Sequence, residues 1–508
     1  MATPLFKAYQ QNQVYLLPPS LDELVAENHP VRVVNKVIDS IDMDIIIKKY
    51  KGGGTTSYHP RMLLKVLVYA YLGNIYSSRK IEMVLKENIH FMWLSGMSRP
   101  DHHTINRFRS ERLKNVLKEV FAQVVLLLVE SGHVSLKEVY TDGTKIEANA
   151  NRYTFVWGNA IKTSKERIKQ QLNELWAYTQ EVAAEEMDDD TPPDFDKIDS
   201  EKVKQTIEKI DKALKTKPVS SQVKQKLNYA KKHWPQNLQK YKEQEEILGG
   251  RNSYSKTDPD ATFMRMKEDH MKNGQLKPGY NLQISTHNQI VTNYTIHQTT
   301  NDTNTLEAHL RSFEQLYNVN PEVVVTDGGF GSDENYEALE QRGVEGYVKY
   351  NYFDKEQKQG YLENHPFHYR NLHYNEEKDI FICPMGQAMQ CTGSFTITNK
   401  NGYQQAIKKY QAKNCNGCPM RGACHKQKGN RIMEVNHRLR KYKQRIRENL
   451  TSEKGINYRK KRPWDVEPVF ANIKHNKNFR RYTLRGKLKV EIETGLYLLA
   501  HNLSKIAA

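Results

Sequence analysis

Apolar residues recur at helical spacing through the first 135 residues of the chain. The segment 59–74 shows this spacing most clearly, and it predicts an amphipathic helix. Ser77 or Ser78 is positioned to cap a second, short helix, and Thr104 to cap a long third one. The pattern therefore predicts an all-helical N-terminal domain over residues 1–135.

Alternation of apolar and polar positions follows, and it predicts strands. A strand leads into a turn at Asp142 and out into a second strand, and the segment 279–298 reads as two further strands. A short β-branched run then ends on Asp327. Because helical segments separate these later strands, residues 136–158 and 279–352 are expected to form a mixed α/β core.

Three further segments differ from this core in composition. Residues 159–278 are rich in Lys, Glu and Gln at helical period, which predicts a helical insertion, partly like a coiled coil. Residues 353–430 read as an irregular, Cys-rich insertion with short strands. Residues 431–508 are strongly basic and end in an apolar helix, and they are expected to complete the core.

The charge balance favours a polyanionic partner. Lys and Arg number 77 against 59 for Asp and Glu, which gives a formal net charge of +18. Nucleic acid explains this excess better than a soluble protein that is merely rich in lysine, because each neutralised phosphate releases a counterion. The longest apolar run falls far short of the ~20 residues of a membrane span, and no signal core follows the first residues. We therefore expect a cytoplasmic, nucleoid-associated bacterial protein without a membrane partner.

The helical domain allows two interpretations. Three helices before a basic segment are compatible with a helix-turn-helix-like DNA module, in which Arg107 and Arg109 face a phosphate backbone. A plain helical bundle with solvated arginines fits the same pattern.

The cysteines cluster in one part of the chain. The chain has 5 cysteines, all between Cys383 and Cys424, a distribution that favours metal binding over a disulfide scaffold. The predicted ligands of a structural Zn²⁺ are Cys383, Cys415, Cys418 and Cys424. Cys391 and His425 are alternative ligands, and reduced thiols without metal are the other interpretation.

Three carboxylates stand out by position. Asp142 and Asp327 each follow a predicted strand and precede glycine, and Glu467 lies where Asp465 is expected to cap a helix. Lys474 follows Glu467 by seven residues and so shares its helix face. Phosphodiester chemistry uses such oxygen-rich sites to hold two Mg²⁺ or Mn²⁺ ions about 4 Å apart.

Five sequence blocks extend this pattern from about residue 58 to the C-terminus. They are YHPRMLLKVLVYAYLGNIYSSRKIE, FMWLSGMSRPDHHTINRFR, YTDGTKIEANANRY, VVVTDGGFGSDENYEAL and RPWDVEPVFANIKHNKNFRRYTLRGKLKVEIETGLYLLAHNL. In content and order they resemble the insertion-sequence DDE transposases, whose catalytic domain is an RNase H-like mixed sheet flanked by helices. The resemblance implies that Asp142, Asp327 and Glu467 form the metal-binding triad.

The resemblance also implies an activity and partners. Such enzymes use metal ions to cleave DNA at insertion-sequence ends and to transfer the strands into target DNA by phosphodiester transesterification. The implied partners are double-stranded DNA, as terminal inverted repeats and as target, and a second copy of the chain in a synaptic homodimer.

A Tyr, Arg, Glu, Lys signature surrounds the last acid in this family, with Arg four residues before Glu and Lys seven after. Lys474 fits, but Pro463 occupies the usual Arg position, Arg462 lies one residue earlier and Tyr458 is displaced. The predicted DNA-contacting residues are Lys474, Arg462, Tyr458, Arg107, Arg109, Arg480, Arg481 and Arg485.

Two other functions compete with transposition. A silenced transposase that only binds DNA is expected to have lost at least one acid, whereas all three positions are filled. A glycosidase built on paired carboxylates leaves the basic charge and the basic C-terminal segment unexplained.

Overall fold

The computed structural model describes residues 19–50, 56–186, 199–266, 275–399 and 401–507. The chain divides into two compact units. The helical unit comprises Met1–Ser135, Asn288–Thr292 and Glu491–Ala508, and the mixed α/β unit comprises Leu136–His287 and Asn293–Val490.

The N-terminal part of the helical unit consists of short helices. They are α1 (Pro30–Ser40), α2 (Asp44–Ile47), α3 (Pro60–Leu72), α4 (Ser78–Glu87), α5 (Ile89–Ser95), α6 (His102–Arg107) and α7 (Leu117–Glu130). Ser77 is the N-cap residue of α4.

The long helix predicted after Thr104 is broken, and Thr104 does not cap it. Asp101 is the N-cap of α6, and its carboxylate accepts a hydrogen bond from the Thr104 N–H at 2.7 Å. An Asp three residues earlier is the stronger cap. A π-helical turn, Phe108–Arg112, then separates α6 from α7.

The strands of the mixed α/β unit form two larger sheets and one short pair. In chain order they are β1 (Glu138–Glu147), β2 (Phe155–Trp157), β3 (Ser253–Ser255), β4 (Thr262–Arg265), β5 (Leu276–His287), β6 (Ile290–His297), β7 (Val323–Thr326), β8 (Glu345–Val348), β9 (Tyr374–Asn375), β10 (Ile380–Ile382), β11 (Ala388–Thr398), β12 (Gln404–Ala412) and β13 (Ile432–Val435). The core sheet has the order β4-β5-β1-β7-β8, with β6 paired to β5. Its strand β1 is antiparallel to β5 and parallel to β7.

The turn predicted at Asp142 is wrong, because β1 continues through it. Asp142 pairs with Ile284 and Gly143 pairs with Gln283 in the register of β1 and β5. The glycine allows close packing instead of a turn. A Cβ at position 143 would lie 2.6 Å from Gln283 Oε1 and 2.8 Å from Asp302 Oδ1.

The later part of the chain contains further helices. They are α8 (Gly158–Val182), α9 (Ser200–Leu214), α10 (Ser221–Leu248), α11 (Leu306–Tyr317), α12 (Asp333–Gln341), α13 (Phe353–Glu356), α14 (Arg421–Cys424), α15 (His437–Thr451), α16 (Glu453–Ala471) and α17 (Lys487–Ile506). Helices α8 to α10 share a hydrophobic core around Trp176 and Trp234. The segment predicted as a helical insertion also contains β3 and β4, and β4 pairs with β5 in the core sheet.

Residues 374–435 contain a five-stranded antiparallel sheet, where an irregular segment with short strands was predicted up to residue 430. Its order is β13-β12-β11-β10-β9, and Phe381, Met389 and Tyr410 are buried in its core. Strand β11 is exposed along nearly its whole length. It therefore lacks the apolar alternation by which a half-buried strand is recognised in a sequence.

Helix α16 carries Glu467 in its interior, so the predicted helix start at Asp465 is wrong. Ser452 is the N-cap, and its Oγ accepts a hydrogen bond from the Gly455 N–H at 3.1 Å. The helix runs through Pro463 and packs against β1, β5 and β7. Burial of Val466 and Val469 offsets the hydrogen bonds that proline removes from a helix.

Helix α17 is the apolar helix that was predicted at the end of the chain. Leu496, Leu499 and Leu503 on this helix are fully buried. None of the helices in the described part of the chain combines the length and the apolar character needed to cross a bilayer.

Candidate active site

Two of the predicted acids occupy matching positions on neighbouring parallel strands. Tyr140 of β1 is in register with Val325 of β7, and Asp142 and Asp327 each lie two residues further along. Parallel neighbours are about 4.8 Å apart. The register therefore places Asp142, inside β1, beside Asp327, which directly follows β7.

Local hydrogen bonds orient both carboxylates. Asp142 Oδ1 accepts a hydrogen bond from the Gly143 N–H at 2.7 Å. Asp327 is the N-cap of the short turn Gly328–Phe330, and its Oδ1 accepts a hydrogen bond from the Gly329 N–H at 2.9 Å. The side chain of Asp142 is only 10% exposed, whereas Asp327 is partly exposed.

The Arg462 guanidinium connects the first acid to the third. Its Nη2 lies 2.8 Å from Asp142 Oδ2, and its Nη1 lies 3.8 Å from Glu467 Oε1. Arg462 is 13% exposed and Glu467 is 61% exposed. Asp142 on β1 and Glu467 on α16 are thus brought to one guanidinium, although they are far apart in sequence.

The other members of the predicted signature lie deeper in the fold. Tyr458 is buried, and its hydroxyl donates a hydrogen bond to Glu138 Oε1 at 2.9 Å. Burial, followed by this carboxylate, raises the pKa of Tyr458, so the phenol stays protonated. Lys474 is also buried. Contacts of these two side chains with DNA remain predictions.

The two arginines predicted in the helical unit differ in exposure. Arg109 is buried, and its Nη1 donates hydrogen bonds to Tyr71 Oη at 3.2 Å and to the Tyr76 carbonyl at 2.7 Å. These bonds give Arg109 a structural role. Arg107 is largely exposed and pairs with Glu111 at 3.3 Å.

The three C-terminal arginines are exposed and lie beside the end of β1. Arg481 donates hydrogen bonds to the carbonyls of Ala148 and Ala150, both at 3.2 Å, and Arg485 to that of Asn149 at 2.8 Å. Arg480 Nε donates to the Lys474 carbonyl at 3.0 Å. These hydrogen bonds hold the basic segment beside the end of β1, the strand that carries Asp142.

Two residues near the acids were missed by the sequence analysis. Asp302 precedes α11, and its Oδ1 accepts hydrogen bonds from Asn281 Nδ2 at 2.7 Å and from Gln283 Nε2 at 2.8 Å. No local pattern singles it out, because only contacts with distant residues reveal its position. Trp464, two residues after Arg462, is 75% exposed, and an aromatic face beside basic side chains suits stacking on bases.

The donor set of the three acids fits a hard cation. Carboxylate oxygens are the ligands that Mg²⁺ prefers, and it needs few of them because it retains waters. Among the described residues, however, no group of three or more His, Cys, Asp or Glu side chains is already placed to hold a metal ion. The Arg462 guanidinium occupies the position between Asp142 and Glu467.

The four cysteines predicted to bind zinc surround one small cavity, together with His425 and Arg431. Arg431 Nη1 donates to Cys424 Sγ at 3.0 Å, and the Gln387 N–H donates to Cys383 Sγ at 3.3 Å. His425 Nε2 is buried and has no hydrogen-bond partner among the residues that the structure describes, and burial lowers the pKa of this imidazole. Cys391 is exposed and lies outside the cavity lining.

Comparison with known families identifies two regions of the chain. The family described as "Transposase DDE domain" matches residues 382–507, which include Glu467 and Lys474 but neither of the other two acids. The family described as "Transposase domain (DUF772)" matches residues 19–111 in the helical unit. No curated protein and no solved structure matches the chain. Both matches are to transposase families, and over these residues the chain is similar to the insertion-sequence DDE transposases.

Proposed function

We propose that this protein is an active DNA transposase with an RNase H-like catalytic core, in which Asp142, Asp327 and Glu467 hold divalent cations. The observation that carries the proposal is the convergence of these acids. Two lie at matching positions on parallel strands, and Arg462 contacts the first and the third. A mixed sheet with one acid inside a strand, one directly after the neighbouring parallel strand and one on a helix supports the RNase H-like assignment.

The reaction consists of two phosphoryl transfers on DNA. In the first, water attacks the phosphorus at the element end, and the bond to the leaving 3′-oxygen breaks, which frees a 3′-hydroxyl. In the second, that hydroxyl attacks a target phosphodiester, and one phosphorus–oxygen bond forms as another breaks. Bound Mg²⁺ or Mn²⁺ lowers the pKa of the attacking group and stabilises the leaving oxygen.

The chain supplies the groups that hold the DNA. Arg462 and Lys474 lie on the segment that carries Glu467, and Arg480, Arg481 and Arg485 form a basic run beside β1. These side chains are suited to phosphate contacts that position the duplex without reading its sequence. The proposed partners are the terminal inverted repeats and target DNA in the bacterial nucleoid. Cleavage of two ends in concert requires at least a homodimer on DNA.

Cleavage of element-end DNA tests the function. The full chain is incubated with end-labelled duplexes from the DNA that flanks its reading frame, in Mg²⁺, in Mn²⁺ and in EDTA. We expect nicks at the element ends that carry 3′-hydroxyls, formed only with a divalent cation, followed by joining to a target plasmid. A scrambled end sequence is the control. Binding of the ends without cleavage in either metal would instead indicate a silenced transposase.

A structural Zn²⁺ at the Cys-rich sheet is a separate part of the proposal. The support is the cavity that Cys383, Cys415, Cys418 and Cys424 line together, and the buried His425 Nε2, which has no hydrogen-bond partner within the described part of the chain. Such a closed site braces a fold and supplies no catalysis. We expect about one zinc per chain in elemental analysis of protein purified without chelator.

Matched serine variants test this zinc prediction. Cys418→Ser is expected to lose most of the zinc and to melt at a lower temperature, because zinc binding contributes to folding. Cys391→Ser is the control, since Cys391 lies outside the cavity lining, and it should retain the metal. Zinc-free wild-type protein with an unchanged melting temperature would favour the interpretation as reduced thiols.

A further inference from the structure

Three basic side chains surround one buried carboxylate in the segment after β8. The side chain of Glu356, the last residue of α13, is only 2% exposed. Its Oε2 accepts hydrogen bonds from Arg370 Nη1 and from the Tyr350 hydroxyl, both at 2.7 Å. The same oxygen lies 3.7 Å from Arg447 Nη2, and the Lys443 ammonium lies over the Tyr350 ring, 5.5 Å from its centroid. These five residues form what we call the Glu356 cluster.

The charges in the Glu356 cluster do not balance. One carboxylate faces two guanidinium groups and one ammonium group, which leaves an excess of two positive charges. The side chains of Arg370 and Arg447 are 21% and 23% exposed, so most of their surface is withdrawn from water while a route to solvent remains. Excess charge that is partly buried costs free energy unless an opposite charge compensates it. The cluster therefore suits an anionic ligand.

Lys443 is the member of the cluster whose charge is least compensated. Arg370 donates to Glu356, and Arg447 Nε donates to the Tyr350 hydroxyl at 3.1 Å. Within the described residues, the Lys443 ammonium has no hydrogen-bond or ion-pair partner. The side chain is half-buried, and burial lowers its pKa, an effect that Glu356 opposes and Arg447 reinforces. Lys443 thus has N–H groups to donate to an anion.

The cluster lies next to the loop that follows Asp327. Because β7 and β8 are parallel and Thr326 pairs with Val348, the chain after β8 starts beside Asp327. The two segments are in close contact, since a Cβ on Gly331 would lie 2.6 Å from the Cα of Tyr350. Tyr350 therefore connects the Asp327 loop to the cluster.

The segment after β8 also contacts the helix that carries Glu467. The Arg459 guanidinium of α16 lies over the Phe353 ring, 5.3 Å from its centroid. Phe353 is the first residue of α13, the helix that ends with Glu356. The cluster thus adjoins two elements that carry acids of the candidate site, and a DNA strand held at those acids would pass close to it.

A phosphate is the anion that this combination of donors fits. Guanidinium groups match phosphate oxygens with paired N–H donors, and an ammonium adds a compact charge. Along each DNA strand a phosphate recurs about every 3.4 Å of helix axis, so a duplex can present one to the cluster while another lies at the acids. The formal net charge of +18 favours such a partner over a small neutral molecule.

We propose that Lys443, together with Arg370 and Arg447, binds a backbone phosphate of the DNA beside the cleavage site. The proposal rests on the proposed function, because it assigns a further contact to the DNA of that reaction. Such a contact positions the strand without reading its sequence. Free phosphate offers the same chemistry, and the experiment separates the two sources.

DNA binding and thermal melting of the full-length protein test the proposal. Lys443→Met removes the charge and keeps the length of the side chain, whereas Lys443→Arg keeps the charge. Lys226→Met is the matched control, because Lys226 lies in the helical insertion, is 33% exposed and pairs with Glu174. Fluorescence anisotropy with an element-end duplex gives the affinity over a series of salt concentrations. Melts in inorganic phosphate and in chloride at equal ionic strength measure binding of the free anion.

We expect Lys443→Met to bind DNA about 3- to 10-fold more weakly, with a slope of log affinity against log salt that is smaller by about one. It should melt no lower than wild type, because it removes a half-buried charge that lacks a partner. Phosphate stabilises proteins in general, but it should raise the melting temperature of Lys443→Met less than that of wild type. Lys443→Arg should restore DNA binding, and Lys226→Met should follow wild type throughout.

The possible failures are distinguishable. Wild-type affinity and salt slope in Lys443→Met, with element-end cleavage intact, would overturn the phosphate contact and leave the proposed function standing. A weaker response of that variant to phosphate with unchanged DNA binding would mean that the cluster binds free phosphate, which overturns its assignment to DNA. A wild-type protein that neither binds nor cleaves the element ends would overturn the proposed function as well.

Discussion

Asp142→Asn and Glu467→Gln are expected to reduce metal-dependent DNA cleavage by about 1,000-fold or more while leaving DNA binding intact. Each change replaces a charged oxygen ligand with a neutral amide. The stabilisation that bound metal ions give to transition-state charge amounts to several kcal/mol, and each 1.36 kcal/mol corresponds to a factor of ten in rate. The measurement is the single-turnover rate on an end-labelled element-end duplex, with protein in excess over DNA.

The two variants differ in their structural consequences, and Glu467→Gln is the cleaner test. Glu467 is 61% exposed and its distance to Arg462 is 3.8 Å, so its loss should leave the melting temperature nearly unchanged. Asp142 is 10% exposed and lies 2.8 Å from the guanidinium, so Asp142→Asn also weakens a buried pair. Asp211→Asn is the control: it also removes one negative charge, but in helix α9 and away from the site. This variant should cleave DNA normally. Equal rates in wild type and both variants would refute the triad.

The parts of the fold that the sequence predicts well are those with a strong burial pattern. Strand β7 is a run of β-branched residues buried at every position, and α17 contains fully buried leucines. The long strand β11 was missed because its residues are mostly exposed. Asp142 was placed in a turn because Asp-Gly is a common turn sequence, whereas here the glycine makes room for Gln283 and Asp302.

The candidate site was only partly predictable for a different reason. Asp142, Asp327 and Glu467 follow from strand ends and from the family resemblance, but their proximity depends on strand register and on the course of α16. In the sequence, Pro463 occupies the usual signature position of the arginine, and Arg462 lies one residue earlier. The structure nevertheless shows that Arg462 contacts Asp142 and Glu467. Asp302 and Gln283 meet near Gly143 only because β5 pairs with β1, which no local pattern indicates.

Arg462→Met is expected to lower the melting temperature of the protein and to increase the stabilisation that added Mn²⁺ provides. The guanidinium contacts two carboxylates, and Asp142 is almost buried. Removing one partner of a buried ion pair typically costs about 3–5 kcal/mol, because the remaining charge is left uncompensated. A divalent cation bound to Asp142 and Glu467 restores positive charge at that position, so the variant should gain more from it than wild type does. Thermal melts with and without Mn²⁺ measure both effects.

Arg311→Met is the matched control, since Arg311 is 60% exposed and pairs with Glu307 in the same unit, and surface pairs contribute about 0–1 kcal/mol. Its melting temperature and its response to Mn²⁺ should follow wild type. Cleavage by Arg462→Met should also fall, because the same guanidinium contacts two of the acids and suits a DNA phosphate. A wild-type response to Mn²⁺ in Arg462→Met would show that Arg462 and the cation do not share Asp142. A larger response would mean that Arg462 must exchange its carboxylates for the DNA phosphate when the cation binds, which couples metal loading to DNA positioning.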